Sequence, residues 1–176
     1  MRGLSVTRRV TYTALSVAFL TVGAIIQIPW ALPITLQVLS LYLVLFLFGG
    51  TLGLASSALY LAMGIIGLPV FSGFSGGFGR LFELGGGYIV AFIPLSLVYL
   101  LCERLRVKRL FAAFISLLVM YAAAYLWHAL LYFDGDFGAQ VLLTVLAPYV
   151  IPDALKIIIA YVIAGRLEKY SLINVR

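Results

Sequence analysis

Ala147-Pro148-Tyr149-Val150-Ile151-Pro152-Asp153-Ala154-Leu155-Lys156-Ile157-Ile158-Ile159-Ala160 places one acid and one base inside a run that otherwise belongs in lipid. Inserting an ionised side chain at membrane depth costs about 2.5–3.5 kcal/mol, so such residues face a bundle interior, a partner or a ligand rather than acyl chains. Pro152 suits the first turn of a helix, where its missing N–H removes no bond. The three-residue spacing then sets Asp153 and Lys156 on one side of that helix. The run is read as the last of a set of membrane helices, with the pair projecting into the cavity that the set leaves.

The composition of the whole chain agrees. Its 176 residues are 64% hydrophobic and only 10% charged, and the mean hydropathy of +1.16 lies far outside the range of a soluble domain. Apolar runs of about 20 residues reach across the hydrocarbon core as helices. They are continuous rather than alternating, which excludes the lipid-facing strands of a barrel. The expectation is an all-α membrane protein, a single domain over residues 1–176 with six transmembrane helices. One cysteine, Cys102, excludes an internal disulfide and cannot make a metal site alone. The net charge of +6 comes from basic residues that flank apolar spans, so it reads as a topology signal and not as a nucleic-acid surface.

Arg2, Arg8 and Arg9 precede a first span over about residues 10–28, whose apolar run is too long for a cleaved signal peptide. Pro29-Trp30-Ala31-Leu32-Pro33 breaks it, and Ile34-Thr35-Leu36-Gln37 leads into a second span ending at Phe48. Gly49-Gly50-Thr51 is a tight turn, and a third span over about 52–66 stops at Gly67-Leu68-Pro69. The stretch 70–88 is too glycine-rich for a stable helix and too aromatic for a solvated linker, so it is expected to be an ordered loop packed back on the bundle. Further spans cover about 89–101 and 111–133, the acidic turn Asp134-Gly135-Asp136-Phe137-Gly138 follows, and the sixth span ends near Ala164.

Of the twelve Lys and Arg, ten fall on one side: Arg2, Arg8 and Arg9, then Arg104, Arg106, Lys108 and Arg109, then Arg166, Lys169 and Arg176. Arg80 is alone on the other side, and Lys156 is within the membrane. The positive-inside rule therefore predicts cytoplasmic N- and C-termini, with the glycine-rich loop, the 29–33 break and the acidic turn outside.

Asp153 and Lys156 have two readings. They form an internal ion pair with Lys156 snorkelling, or they line a polar pocket for a small solute. For the second, Lys156 suits a carboxylate and ionised Asp153 accepts from urea-like N–H donors. The glycine-rich loop is an interfacial anchor through Phe71, Phe74, Phe78 and Phe82, or a lid whose glycines bring backbone close to a ligand. Arg80 and Glu83, three apart, are expected to pair with each other. Ala14 and Ala18 lie one turn apart on the first span, with Ser16 and Gly23 nearby. Such spacing lets another helix approach closely, from within the chain or from a partner. His128, beside Trp127 and with no acid near it in sequence, is expected to be a hydrogen-bonded structural residue.

No G-x-x-x-x-G-K-[ST] phosphate loop, H-E-x-x-H pair, nucleophile elbow or clustered metal ligands occur in the sequence. The chain reads as a transport component and not an enzyme, with no cofactor and no metal. Uphill transport would draw on an ion gradient or on a partner. Two other readings stay open: an ion-coupled carrier with Asp153 or His128 as the titrating group, and a membrane scaffold with no ligand.

Several segments, in order, resemble the BioY family, the biotin-specific substrate-binding (S) components of energy-coupling factor (ECF) transporters. They are Pro33-Ile34-Thr35-Leu36-Gln37, the run from Tyr60-Leu61-Ala62-Met63-Gly64 through Gly67-Leu68-Pro69-Val70-Phe71-Ser72-Gly73 to Gly76-Gly77, then Gly86-Gly87-Tyr88-Ile89 and Pro152-Asp153-Ala154-Leu155-Lys156. The resemblance implies an ECF S-component bundle of six helices in a prokaryotic plasma (inner) membrane, with a biotin pocket near the outer face closed by loops one and three. It also implies a complex with a transmembrane coupling (T) subunit and two cytoplasmic ATPases. Biotin is then a transported ligand and not a prosthetic group. Ala14-Leu15-Ser16-Val17-Ala18 looks like the family's A-x-x-x-A surface toward the coupling subunit. Asp153 and Lys156 match the family's acid and lysine at the biotin site. The valerate carboxylate and the ureido ring of biotin are too far apart for one helical turn to span, so the pair acts largely at one end. Gln37, Ser72 and Tyr88 occupy loop-edge motif positions suited to neutral polar contacts or stacking. Another vitamin is the alternative within the same class. Where the family usually has Gly-Pro-Thr, this chain has Glu83-Leu84-Gly85, which removes a stiff turn and adds a charge near the lid.

Overall fold

A computed structural model describes residues 5–28, 34–132 and 142–169. The break at 29–33, Phe133, the acidic turn at 134–138, Arg2 and Arg176 lie outside the described residues. Five α-helices are described: α1 (Val6–Ile25), α2 (Gln37–Ile65), α3 (Gly86–Arg104), α4 (Arg109–Tyr132) and α5 (Ala147–Lys169). A 3-10 turn, Phe78–Phe82, lies between α2 and α3, and a π-helical turn, Leu142–Leu146, leads into α5. All but α1 are long and apolar enough to cross a membrane. Arg8, Arg9 and several threonines lower the hydropathy of α1.

α2 is the centre of the bundle, and it doubles back on itself. Gly49 leaves helical geometry with φ 81° and ψ 170°, a conformation that favours glycine. In a straight helix Gln37 and Tyr60 would be about 35 Å apart at 1.5 Å per residue; instead Gln37 Nε2 donates to Tyr60 Oη at 2.6 Å. A Cβ placed on Gly53 would lie 2.3 Å from Leu45 Cδ2, which shows how closely the arms 37–48 and 50–65 pack. The expected turn at Gly49-Gly50-Thr51 thus contracts to one residue. The first N–H groups of the second arm need acceptors from outside the helix, and Gly50 N–H donates to Glu103 Oε2 at 2.7 Å. Almost every residue of the first arm is buried, so no face is left for lipid. α1, α3 and α5 pack on this hairpin, and α4 packs on α3.

Three boundaries differ from expectation. α1 ends at Ile25, three residues short of position 28, because Gln27–Ile28 pairs antiparallel with Ile34–Thr35. α3 starts at Gly86 and not near 89, absorbing glycines read as loop; a Cβ on Gly86 would lie 1.9 Å from the Leu81 carbonyl oxygen, so close packing is what these glycines serve. α5 starts at Ala147, so Pro148 and not Pro152 sits in the first turn. Pro152 is inside the helix and cannot donate to the Pro148 carbonyl.

The connection between α2 and α3 does pack back on the bundle. Gly77 N–H donates to the Gly64 carbonyl at 2.7 Å, and Phe71 is buried against Tyr60 with ring centroids 5.5 Å apart. Phe74, Phe78 and Phe82 stay exposed, as an interfacial anchor requires.

Candidate functional site

α5 carries Asp153 and Lys156 into the bundle at one helical turn's spacing, with Asp153 3% and Lys156 8% exposed. Lys156 Nζ donates to Asp153 Oδ1 at 2.7 Å. Tyr121, on α4, donates its hydroxyl to Asp153 Oδ2 at 2.8 Å. Both carboxylate oxygens are therefore engaged, which fixes the plane of the group, yet an ionised carboxylate has about four lone-pair sites and can accept further bonds. Lys156 spends one of its three N–H groups on Asp153.

The pair borders a cavity of about 70 Å³. Gln37, Ser72, Tyr88, Asp153 and Lys156 all line it, so five positions spread along most of the sequence meet at one place. Each arrives from a different local structure. Gln37 opens α2, and its Oε1 accepts from Thr35 Oγ1 at 3.0 Å while Nε2 donates to Tyr60. Tyr60 passes the chain on, donating to the Val70 carbonyl at 2.8 Å, which ties both arms of the hairpin to the start of the loop. The Ser72 carbonyl accepts from Ser75 Oγ at 2.7 Å. Tyr88, in the first turn of α3, stands edge-on to Tyr121 with centroids 6.2 Å apart and lies 6.0 Å from the Tyr149 ring. Tyr88 and Tyr149 thus give the cavity aromatic walls beside the charged pair, an arrangement that suits a small ligand with an apolar body and a polar end.

Arg80 and Glu83 also line the cavity and pair with each other. Their side chains are 33% and 53% exposed, so they belong to the solvent-reachable part of the lining, whereas Asp153 and Lys156 belong to its buried part. His128 is fully buried and both of its ring nitrogens face backbone: Nδ1 lies 2.6 Å from the Ala124 carbonyl oxygen and Nε2 2.5 Å from that of Leu84. Ala14 and Ala18 are on the other side of the molecule's packing, exposed on the outward face of α1 with Leu15. The small residues of α1 divide: Ser16 and Gly23 are buried, a Cβ on Gly23 reaching to 2.3 Å from Ser40 Oγ, whereas Ala14 and Ala18 are exposed among the described residues. No group of three or more His, Cys, Asp or Glu that could hold a metal ion occurs among the described residues.

The family model described as BioY matches residues 1–172. The chain belongs to the BioY family. Among relatives, the probable biotin transporter BioY of Pyrococcus horikoshii is 38% identical over 162 residues, covering 92% of this chain and 96% of that one. The biotin transporter BioY of Thermotoga maritima is 33% identical over 171 residues, covering 94% and 98%. A crystal structure described as the S-component for biotin from an ECF-type ABC transporter superposes with a TM-score of 0.81 at 24% identity, covering 93% of this chain and 92% of that one. This BioY chain thus has the fold of that S-component. Sequence reasoning reached the charged pair and missed Tyr121, Tyr149 and Tyr60. Tyr60 opens one of the family-like runs and Tyr149 lies in the stretch around Asp153, yet neither had a role that sequence could state, and Tyr121 meets Asp153 across 32 positions.

Proposed function

We propose that this chain binds biotin and serves as the substrate-specific subunit of an ECF-type vitamin importer, with the cavity beside Asp153 and Lys156 as the binding site. The observation that carries the reading is the buried acid–base pair at the inner end of a cavity that Gln37, Ser72 and Tyr88 also line. A charged pair is kept at membrane depth at a cost, and a ligand with complementary polar groups offsets that cost. Asp153, steadied by Tyr121, accepts from ligand N–H groups, and Lys156 offers its remaining N–H groups to a carbonyl or carboxylate. Tyr88 and Tyr149 enclose the apolar part.

The architecture in this reading is six transmembrane helices: α1, the two arms of α2, α3, α4 and α5. Both termini face the cytoplasm of a prokaryotic plasma membrane, an orientation that the distribution of Lys and Arg supports. Chemical energy comes from partners, a transmembrane coupling subunit and two cytoplasmic ATPases. The exposed Ala14 and Ala18 on α1 are the surface that admits the coupling subunit's helix, since small side chains at that spacing allow close approach in lipid.

The test is equilibrium binding of biotin to the purified chain, beside Asp153→Asn and Lys156→Ala, with riboflavin and thiamine as competitors. Biotin-selective binding that weakens in both variants is the expected result. Well-folded protein that fails to bind biotin, or binds riboflavin or thiamine in preference, overturns the assignment.

A further inference from the structure

Trp127, His128 and Tyr132 project from the C-terminal end of α4 onto the backbone of the segment that forms the cavity's exposed end. Trp127 Nε1 donates to the Leu81 carbonyl at 3.0 Å, and the Tyr132 hydroxyl donates to the Phe82 carbonyl. His128 Nε2 lies 2.5 Å from the Leu84 carbonyl oxygen. Leu84 precedes Gly85, the N-cap of α3, so its carbonyl is outside the helical ladder. The Ala124 carbonyl facing Nδ1 is inside α4 and accepts from the helix backbone. The contact of Nε2 is therefore the one that ties His128 to a carbonyl outside any helix, and a Phe at 128 removes it. The Phe82 ring packs against Trp127, centroids 6.2 Å apart. Glycine makes the approach possible: a Cβ on Gly87 would lie 2.9 Å from His128 Cε1 and 3.0 Å from Trp127 Cδ1.

The segment held in this way carries Arg80 and Glu83, two partly exposed residues of the cavity, while Asp153 and Lys156 belong to its buried part. Arg80 and Glu83 are the charged residues of a part-exposed rim that Ile34, Thr35 and Ser72 share, and a ligand leaving Asp153 has this rim to cross. A cavity of about 70 Å³ is small beside the roughly 300–1,000 Å³ of small-molecule sites, so a vitamin-sized ligand moves a wall on its way. Most other walls are helices of the bundle and the paired strand at Ile34–Thr35; this one is a short 3-10 turn.

We propose that Trp127 and His128 are positioning residues that latch segment 81–84 to α4 and set how long a bound ligand stays. They act through the loop and do not touch the ligand. Three side-chain contacts to three carbonyls hold this short segment against α4. The proposal rests on the cavity being the biotin site, and its test separates the two claims.

Trp127→Phe and His128→Phe keep a ring in place and delete its N–H. Tyr132→Phe, in the last turn of α4, is the third variant should a substitution at buried His128 prevent folding. Two quantities are measured on purified protein: release of prebound labelled biotin into excess unlabelled biotin, and deuterium uptake by the amides of 81–84 without ligand. Each variant is expected to release biotin roughly fivefold faster, the effect of one lost hydrogen bond of ordinary strength. Uptake at 81–84 should be faster, and the preference for biotin over dethiobiotin should be unchanged. Release within about twofold of the unaltered chain overturns the latch, and so does faster uptake without faster release. If Asp153→Asn binds biotin like the unaltered chain, the pocket assignment fails and the latch falls with it, whereas weakened binding in Asp153→Asn beside unchanged release from the α4 variants overturns the latch alone.

Discussion

Replacing Lys156 with Met while Asp153 remains leaves a carboxylate that is 3% exposed and has lost its 2.7 Å cationic partner. The Tyr121 hydroxyl is still present at 2.8 Å, but one neutral donor does not compensate a buried charge. Removing one partner of a buried pair costs about 3–5 kcal/mol. For a chain of this size each kcal/mol lowers the melting temperature by about 2–4 °C, so the single change is expected to lower it by about 6–20 °C. Asp153→Asn strands the ammonium in the same way. Combining Asp153→Asn with Lys156→Met removes both charges, keeps approximate volume, and should cost less than either single change, because no uncompensated charge remains. Thermal unfolding of the four proteins in one detergent measures this, and biotin titration of the same samples separates stability from function. Stability recovers in the double variant while biotin binding does not. A double variant as destabilised as both single changes together would refute the coupling, and one that is stable and still binds biotin would reduce the pair to a structural device.

Tyr121→Phe deletes the second ligand of the Asp153 carboxylate without changing ring packing; loss of a hydrogen bond to a charged group, about 1.5–3 kcal/mol, should weaken biotin binding at least roughly tenfold in an equilibrium titration, and affinity within about twofold would show that Tyr121 does not orient the site. Gly64→Ala sets a helix-propensity gain of about 1 kcal/mol against a methyl 1.8 Å from Phe71 Cζ, a ring that is fully buried and cannot swing away. Overpacking of this kind costs about 1–3 kcal/mol or more, so the clash wins and thermal unfolding should come earlier.

The charged pair was legible because charge is expensive in lipid, and two ionisable residues in the run Ala147 to Ala160 call for an explanation that sequence alone can state. The turn at Gly49 was legible for a similar reason, since paired glycines between apolar runs end helices. Other features were hidden by the kind of signal they depend on. Gly86 and Gly87 look like loop glycines, and their actual service, admitting Leu81, Trp127 and His128 to the backbone of α3, becomes visible only when α4 is beside them. Tyr121 belongs to an apolar helix in which aromatic residues are unremarked, and its hydroxyl acquires meaning from a carboxylate on another helix. Pro152 was placed at a helix start by local preference, which tertiary packing overrode by extending α5 back to Ala147.

The hairpin of α2 bears on the membrane itself. Its first arm, 37–48, is about 18 Å long at 1.5 Å per residue, and its second, 50–65, about 24 Å, whereas the hydrocarbon layer is about 30 Å thick. Under the six-span reading, neither arm is as long as the hydrocarbon layer is thick, and the bend at Gly49, bonded through the next residue to Glu103 beside the basic run 104–109, lies at the cytoplasmic end of the hairpin. Glu103, closing the Gly50 N–H, lets the chain reverse there without leaving that backbone donor bare, so two short arms pass as a buried hairpin inside the bundle and need not each match the thickness of the lipid.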